Sequence, residues 1–166
     1  SALTAISPID GRYSVQTEPL RKIFSEYGLI HNRVRIEILW LIAISKDKEI
    51  KEVPKFSAKL VTKLNLIIKN FSQIDAQAIK KIEKVTNHDV KAIEYWLKDT
   101  LKNEKEIIKV NEFIHFACTS EDINNLAYAS MLKEGLQSIL IPEIESILKQ
   151  TSMYSTKFSE ISMLAK

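Results

Sequence analysis

The chain has 166 residues, of which 45% are hydrophobic and 27% charged, with 24 basic side chains against 21 acidic ones and a net charge of +3. These proportions exclude a chain disordered along its length, and so mild a charge argues against nucleic acid as a partner. A single cysteine, Cys118, excludes an intramolecular disulfide, and no Cys/His set has the spacing of a metal site.

The length suits one domain, or one domain and part of a second. Residues 1–17 read as an irregular arm carrying Pro8, Asp10 and Gly11, and Pro19 is well placed in a first helical turn. Apolar residues then recur at intervals of three and four, which predicts helices over 26–45, 57–71, 75–86, 88–102 and 119–161. Three glycines and four prolines suit helices better than tight-turned sheets, so the fold class is all-α. Ile36 to Ile44 is apolar nearly all round, as in a helix buried on most sides. The run Ile38–Ile44 is far short of the ~20 residues of a membrane span. Residues 1–30 show no signal-peptide pattern, and the expected compartment is the cytoplasm.

Two apolar stripes stand out. One is Val90, Ile93, Leu97 and Leu101; the other runs through Ile144, Ile147, Leu148, Thr151, Tyr154, Phe158 and Ile161. Pro142 should kink or split the last helix. At ~1.5 Å per residue, 119–161 would extend about 60 Å, longer than a globule of this mass is wide. Such a helix calls for partners outside this chain, and the second stripe is expected to stay uncovered, with aggregation, non-native oligomers or a disordered tail beyond about residue 142.

Three polar clusters could carry chemistry. Asp10-Gly11-Arg12-Tyr13 offers a bend, a guanidinium able to grip an anion and a phenol; it reads equally as a turn with a surface arginine. Thr86-Asn87-His88-Asp89 has the Thr-x-x-Asp spacing of a capping box ahead of a helix. The open N–H groups of a helix start attract anions, and His88 could donate to one or move a proton. Thr119-Ser120-Glu121-Asp122 repeats the spacing, with Asn124 and Asn125 one turn on. Caps with solvated polar residues are the plain alternative for both. His115 and Cys118 read as core residues, as do Trp40 and Trp96, and His31 carries no assignment.

Taken in order, four stretches resemble the amino-terminal part of the adenylosuccinate lyases, in particular the bacterial ones, within the fumarase/aspartase superfamily. They are residues 3–13, 23–29, 86–92 and 112–125, and the resemblance extends over essentially the whole chain. Thr86-Asn87-His88-Asp89 and Thr119-Ser120-Glu121-Asp122 fit this family better than its sisters, argininosuccinate lyase and fumarase. The resemblance implies an all-α protein of three domains around a helix bundle, assembled as a homotetramer whose active sites draw on three subunits. It implies β-elimination of fumarate from adenylosuccinate, giving AMP, and from a succinylated imidazole ribotide of purine synthesis, with no metal or organic cofactor.

By the same resemblance, Arg12 and Tyr13 bind substrate near the nucleotide phosphate. Asn87, His88 and Asp89 form a second binding segment, with His88 a possible auxiliary in proton chemistry. Thr119 and Ser120 hold a carboxylate of the succinyl group. Residues 1–118 correspond to an amino-terminal helical domain and 119–166 to the start of the bundle. The family's general acid and base would lie beyond Lys166, so the chain alone is expected to be inactive. A non-catalytic helical interaction module, with no nucleic-acid or membrane partner, is the alternative.

Overall fold

The computed structural model describes residues 2–162, and among these there is no strand. After a short 3-10 turn at Ala2–Thr4 come α1 (Glu18–Phe24), α2 (Glu26–Ile44), α3 (Ala58–Asn70), α4 (Gln73–Thr86) and α5 (Asp89–Leu101). A short α6 (Lys105–Ile108) and a 3-10 turn at Asn111–Phe113 lead to α7 (Ser120–Gly135), a π-helical segment at Leu136–Leu140 and α8 (Ile141–Lys157).

Local chemistry sets the helix starts. Ser25, Ser57 and Ser72 cap α2, α3 and α4 by accepting the N–H groups of Gly28, Leu60 and Asp75, which satisfies donors that a first turn leaves open. Gly28 allows α1 and α2 to meet at a sharp corner, since a Cβ there would lie 2.1 Å from the Ile23 carbonyl oxygen.

The centre of the molecule is α2, which packs against α1, α3, α4, α5 and α7. That is why its sequence is apolar nearly all round: Ile30, Val34, Ile38, Leu41 and Ile44 are buried in the main core, while Ile36 joins a second cluster. The stripe Val90, Ile93, Leu97 and Leu101 is no more than 1% exposed. A second, smaller apolar cluster joins Ile36 of α2, Val90 at the start of α5, and Ile123 and Ala127 of α7, with Leu29 and Cys118 beside it.

The last helix departs from expectation in how it treats Pro142. Proline lacks an N–H and its ring crowds the carbonyl four residues back. The helical path is not interrupted there. It widens into the π segment, where the Ile141 N–H reaches the Leu136 carbonyl five residues back, and α8 continues beyond. Residues 120–157 are thus one helical path of about 57 Å at ~1.5 Å per residue. The helix stops at Lys157 rather than near 161, with Phe158–Glu160 in a turn. Beyond residue 142 the chain is helical, not disordered, as far as Lys157, but α8 buries no residue at all. Tyr154, Phe158 and Ile161 stay exposed as expected. Among the described residues no helix is long and apolar enough to cross a membrane, and no group of three His, Cys, Asp or Glu could hold a metal ion.

Candidate functional site

Two helix starts, those of α5 and α7, stand over the smaller apolar cluster, since Val90 and Ile123 both point into it. The start of α5 differs from the sequence expectation. Thr86 does not cap this helix; it is the last residue of α4. Asn87 follows in the left-handed region (φ 50°), its N–H bonded to the Glu83 carbonyl, and so ends α4. The cap is His88, whose Nδ1 accepts the Lys91 N–H at 3.1 Å. Two helices separated by two residues leave no room for a Thr-x-x-Asp box, and Asp89 becomes the first residue of α5 instead.

That cap has a chemical consequence. An imidazole nitrogen that accepts an N–H cannot also carry a proton, so the capping ring bears its hydrogen on Nε2. The ring is half exposed, and His88 with Asn87, Asp89, Lys80, Glu83 and Lys84 lines an open cavity of about 590 Å³. Asp89 does not share a proton with His88, since their nearest approach is 3.8 Å. Burial alone would push the Asp89 carboxyl up, but the Val90 N–H and the Arg33 guanidinium outweigh it and hold this group below the usual carboxylate value.

Arg33 was not legible as a site residue and ties the arrangement together. It comes from α2 and is 5% exposed. Its terminal nitrogen meets Asp89 Oδ2 at 2.7 Å, and its Nε donates to Asn124 Oδ1 at 2.9 Å. Asn124 in turn donates to Glu121. One buried guanidinium therefore fixes the start of α5 to the first turn of α7. The signal available in the sequence was a charge inside the apolar α2 pattern, where an unpaired arginine would be costly.

Thr119 caps α7 in a full capping box: its hydroxyl accepts the Asp122 N–H, and the Asp122 carboxylate accepts both the Thr119 N–H and its hydroxyl. Those bonds hold the Asp122 carboxyl below its usual value. The Ser120 hydroxyl has no hydrogen-bond partner among the described residues and is half-buried. Thr119 is thus committed to the helix, whereas Ser120 is available to a ligand. Cys118 packs on the small apolar cluster, and burial pushes its thiol up, away from nucleophile chemistry. His31, unassigned from the sequence, bonds the Ile68 carbonyl and stacks on Phe71.

The third cluster lies in the arm. Arg12 and Tyr13 are exposed, and no hydrogen bond or ion pair among the described residues links them to either helix start. Gly11 lies within a turn, as the sequence suggests, and what its missing Cβ allows there is close packing. It has no positive φ, and a Cβ would lie 2.8 Å from the Ala2 carbonyl oxygen. The arm is anchored by Thr17, which donates to the Ile9 carbonyl, and by Arg21 against Asp10. It borders a mainly apolar cavity of about 310 Å³ between Ile9, Leu20, Arg21 and Phe24, to which neither Arg12 nor Tyr13 contributes. Within one chain the structure brings together the second and third clusters, not the first.

A family profile described as lyase matches residues 11–166. The chain belongs to the lyase family. It is 49% identical to the adenylosuccinate lyase of Vibrio cholerae, 47% to that of Haemophilus influenzae and 46% to that of Escherichia coli (strain K12). Each likeness covers all of this chain but 36% of the relative. The chain therefore spans about a third of the length of these relatives, and its fold is the all-α one of the lyase family.

Proposed function

We propose that this chain forms the amino-terminal part of an adenylosuccinate lyase and supplies substrate-holding groups for β-elimination of fumarate. The geometry that supports this reading best is the Arg33 bridge, which sets the His88 cap and the free Ser120 hydroxyl over one apolar floor. Adenylosuccinate carries two carboxylates and a phosphate. A helix start with a free hydroxyl suits a carboxylate of the succinyl group, and the Nε2–H of His88 suits a second anionic or carbonyl oxygen. Elimination builds negative charge on the carboxylate beside the departing proton, and donors already aimed at that charge stabilise it without reorganising.

In this reading Thr119 and Ser120 face the succinyl carboxylate, with Thr119 mainly holding the turn, while Asn87, His88 and Asp89 form the second contact segment. Arg12 and Tyr13 receive the phosphate, and because nothing ties the arm to the helix starts in one chain, they serve a site shared between copies. A homotetramer in the cytoplasm, working on small molecules without a metal or organic cofactor, completes the proposal. The division of the chain at 118/119 falls on the bend ahead of Thr119, although α7 still packs on α2, so only the π segment and α8 reach away from the body.

Elimination needs a base at carbon and an acid at the leaving nitrogen. The exposed polar groups described above supply binding, so the 166-residue chain is expected to release no fumarate from adenylosuccinate. The longer protein that continues it is expected to do so, with kcat/KM falling at least about a hundredfold in His88→Ala and Ser120→Ala, in line with losing one oxyanion-type donor. Full turnover by the chain by itself would overturn the division of labour, and a longer protein indifferent to both substitutions would overturn the site. One observation also favours the interaction module: α8 buries nothing while presenting an apolar row. The two readings coexist, because a bundle helix is such a module.

A further inference from the structure

Glu37 lies in the middle of α2, between the buried Ile36 and Ile38 in sequence, and is 1% exposed. A carboxylate in such a place is tolerated only with a partner. Glu37 has one: its Oε1 lies 2.6 Å from Nδ1 of His115, while its Oε2 has no hydrogen-bond partner. The bond draws the His115 ring above its ordinary value, against the effect of burial.

His115 sits in an unusual stretch of backbone. Both His115 (φ 65°) and Ala117 (φ 56°) occupy the left-handed region, where residues with a Cβ are strained. Strain of this kind persists only where the surroundings over-determine it. The surroundings are two side chains of α2, one helical turn apart. Glu37 takes the His115 ring, and the Trp40 indole N–H donates to the Phe116 carbonyl at 2.8 Å. The bend then runs straight into Thr119 and Ser120.

Resting on the lyase reading for what those hydroxyls do, we propose that Glu37 is a positioning residue: through His115, and together with Trp40, it holds the left-handed bend that aims the start of α7. A buried carboxylate placed only for stability has no reason to be spent on a strained loop. One placed to fix a loop against a helix start does, and Arg33, one turn earlier on α2, holds the same helix through Asn124.

The test uses Glu37→Leu, Glu37→Gln and Trp40→Phe, read by amide hydrogen exchange and histidine-ring NMR in the ligand-free chain. In Glu37→Leu, exchange of the Cys118–Ile123 amides is expected to rise tenfold or more while that of α3 and α4 stays as in the parent. In Glu37→Gln the side-chain amide can donate to a neutral His115, so protection is largely restored although the ring's pKa falls. Trp40→Phe loosens the same amides to a smaller degree, and it decides the matter if the leucine variant does not fold. In the full-length enzyme, Glu37→Leu lowers kcat/KM for adenylosuccinate tenfold or more, and adds little when Ser120 is already Ala, because both act on one hydroxyl. Exchange unchanged at residues 118–123, loosening spread evenly over the helices, or strict additivity with Ser120→Ala would each overturn the proposal. A wild-type enzyme inert toward adenylosuccinate would instead overturn the lyase reading and leave the exchange result to decide the role of Glu37.

Discussion

Helices α5 and α8 carry apolar stripes of the same period and meet opposite fates. Val90, Ile93, Leu97 and Leu101 are 0–1% exposed, whereas Ile144, Ile147, Leu148 and Tyr154 are 50–63% exposed. The difference is not in the pattern but in what lies opposite. α5 is folded back on α4 and α2 by a two-residue joint at Asn87–His88, while α8 is carried away from the body because the π segment lets the helix run on past Pro142. Periodicity states that a face must be covered; it does not state by what.

The sharpest way to break the comparison is to truncate one residue of each stripe. Leu97→Ala should cost about 2–5 kcal/mol, the range for a fully buried leucine whose site cannot collapse. Ile147→Ala should leave the unfolding free energy from urea titration within about 0.5 kcal/mol of the parent and should weaken self-association instead. A comparable loss of stability in both would mean that α8 is covered within the chain after all.

Arg33 sharpens the contrast from the polar side. Arg33→Met removes a buried cation from two partners, leaving the Asn124 Oδ1 without its donor, although Asn124 still donates to Glu121, and Asp89 half exposed to solvent. Because water can take over part of Asp89's solvation, the expected cost is about 1–2 kcal/mol rather than that of a wholly buried pair. The loosening should be confined to the first turns of α5 and α7, which backbone chemical shifts would show. Shifts spread along α3 and α4 would contradict the local role.

The fold class and five long helical segments were legible because stripes and serine caps are local signals. The Leu97 face could be read from spacing alone. What decides the site could not. Thr86 matched a capping pattern, yet the pattern competes with the end of α4, and a left-handed asparagine wins there because it closes one helix and frees His88 to open the next. Arg33 and Glu37 carried no reading from the sequence; their partners, Asp89, Asn124 and His115, lie 56 to 91 positions away in the chain, and pairing over such distances leaves no local trace. The path through Pro142 was read as a kink or a split, since sequence signals the missing N–H but not the wider π turn that accommodates it.

Two capping boxes then separate structure from function. Ser72 with Asp75 starts α4, and Thr119 with Asp122 starts α7, by the same three bonds. Ser72→Ala and Thr119→Ala should each cost about 1 kcal/mol in thermal or urea unfolding. Only the second should impair fumarate release by the full-length enzyme. Equal impairment by both would mean that stability, not placement of the helix start, governs activity.

The smallest expected effect is a pH dependence confined to the α2 pairing. The Glu37 bond raises His115 above 6.5 in the folded chain, so the native state binds this proton more tightly than the unfolded one. The stabilisation is therefore complete below about pH 6.5 and is lost as pH rises through the folded value. The other groups facing the ring with resolved shifts do not obscure that window. Glu94 and Asp122 are held below their ordinary values of 4.5 and 3.8, and Cys118 is pushed above 9.0, so none of them changes charge there. Lys91, which also faces the ring, is paired with Glu94 at 2.7 Å. His31 and His88 have no contact with Glu37, so comparing the parent with Glu37→Leu isolates the effect. The parent should lose urea resistance more steeply than the variant as pH rises above about 6.5, and parallel curves would show that the bond stores no proton-linked stability.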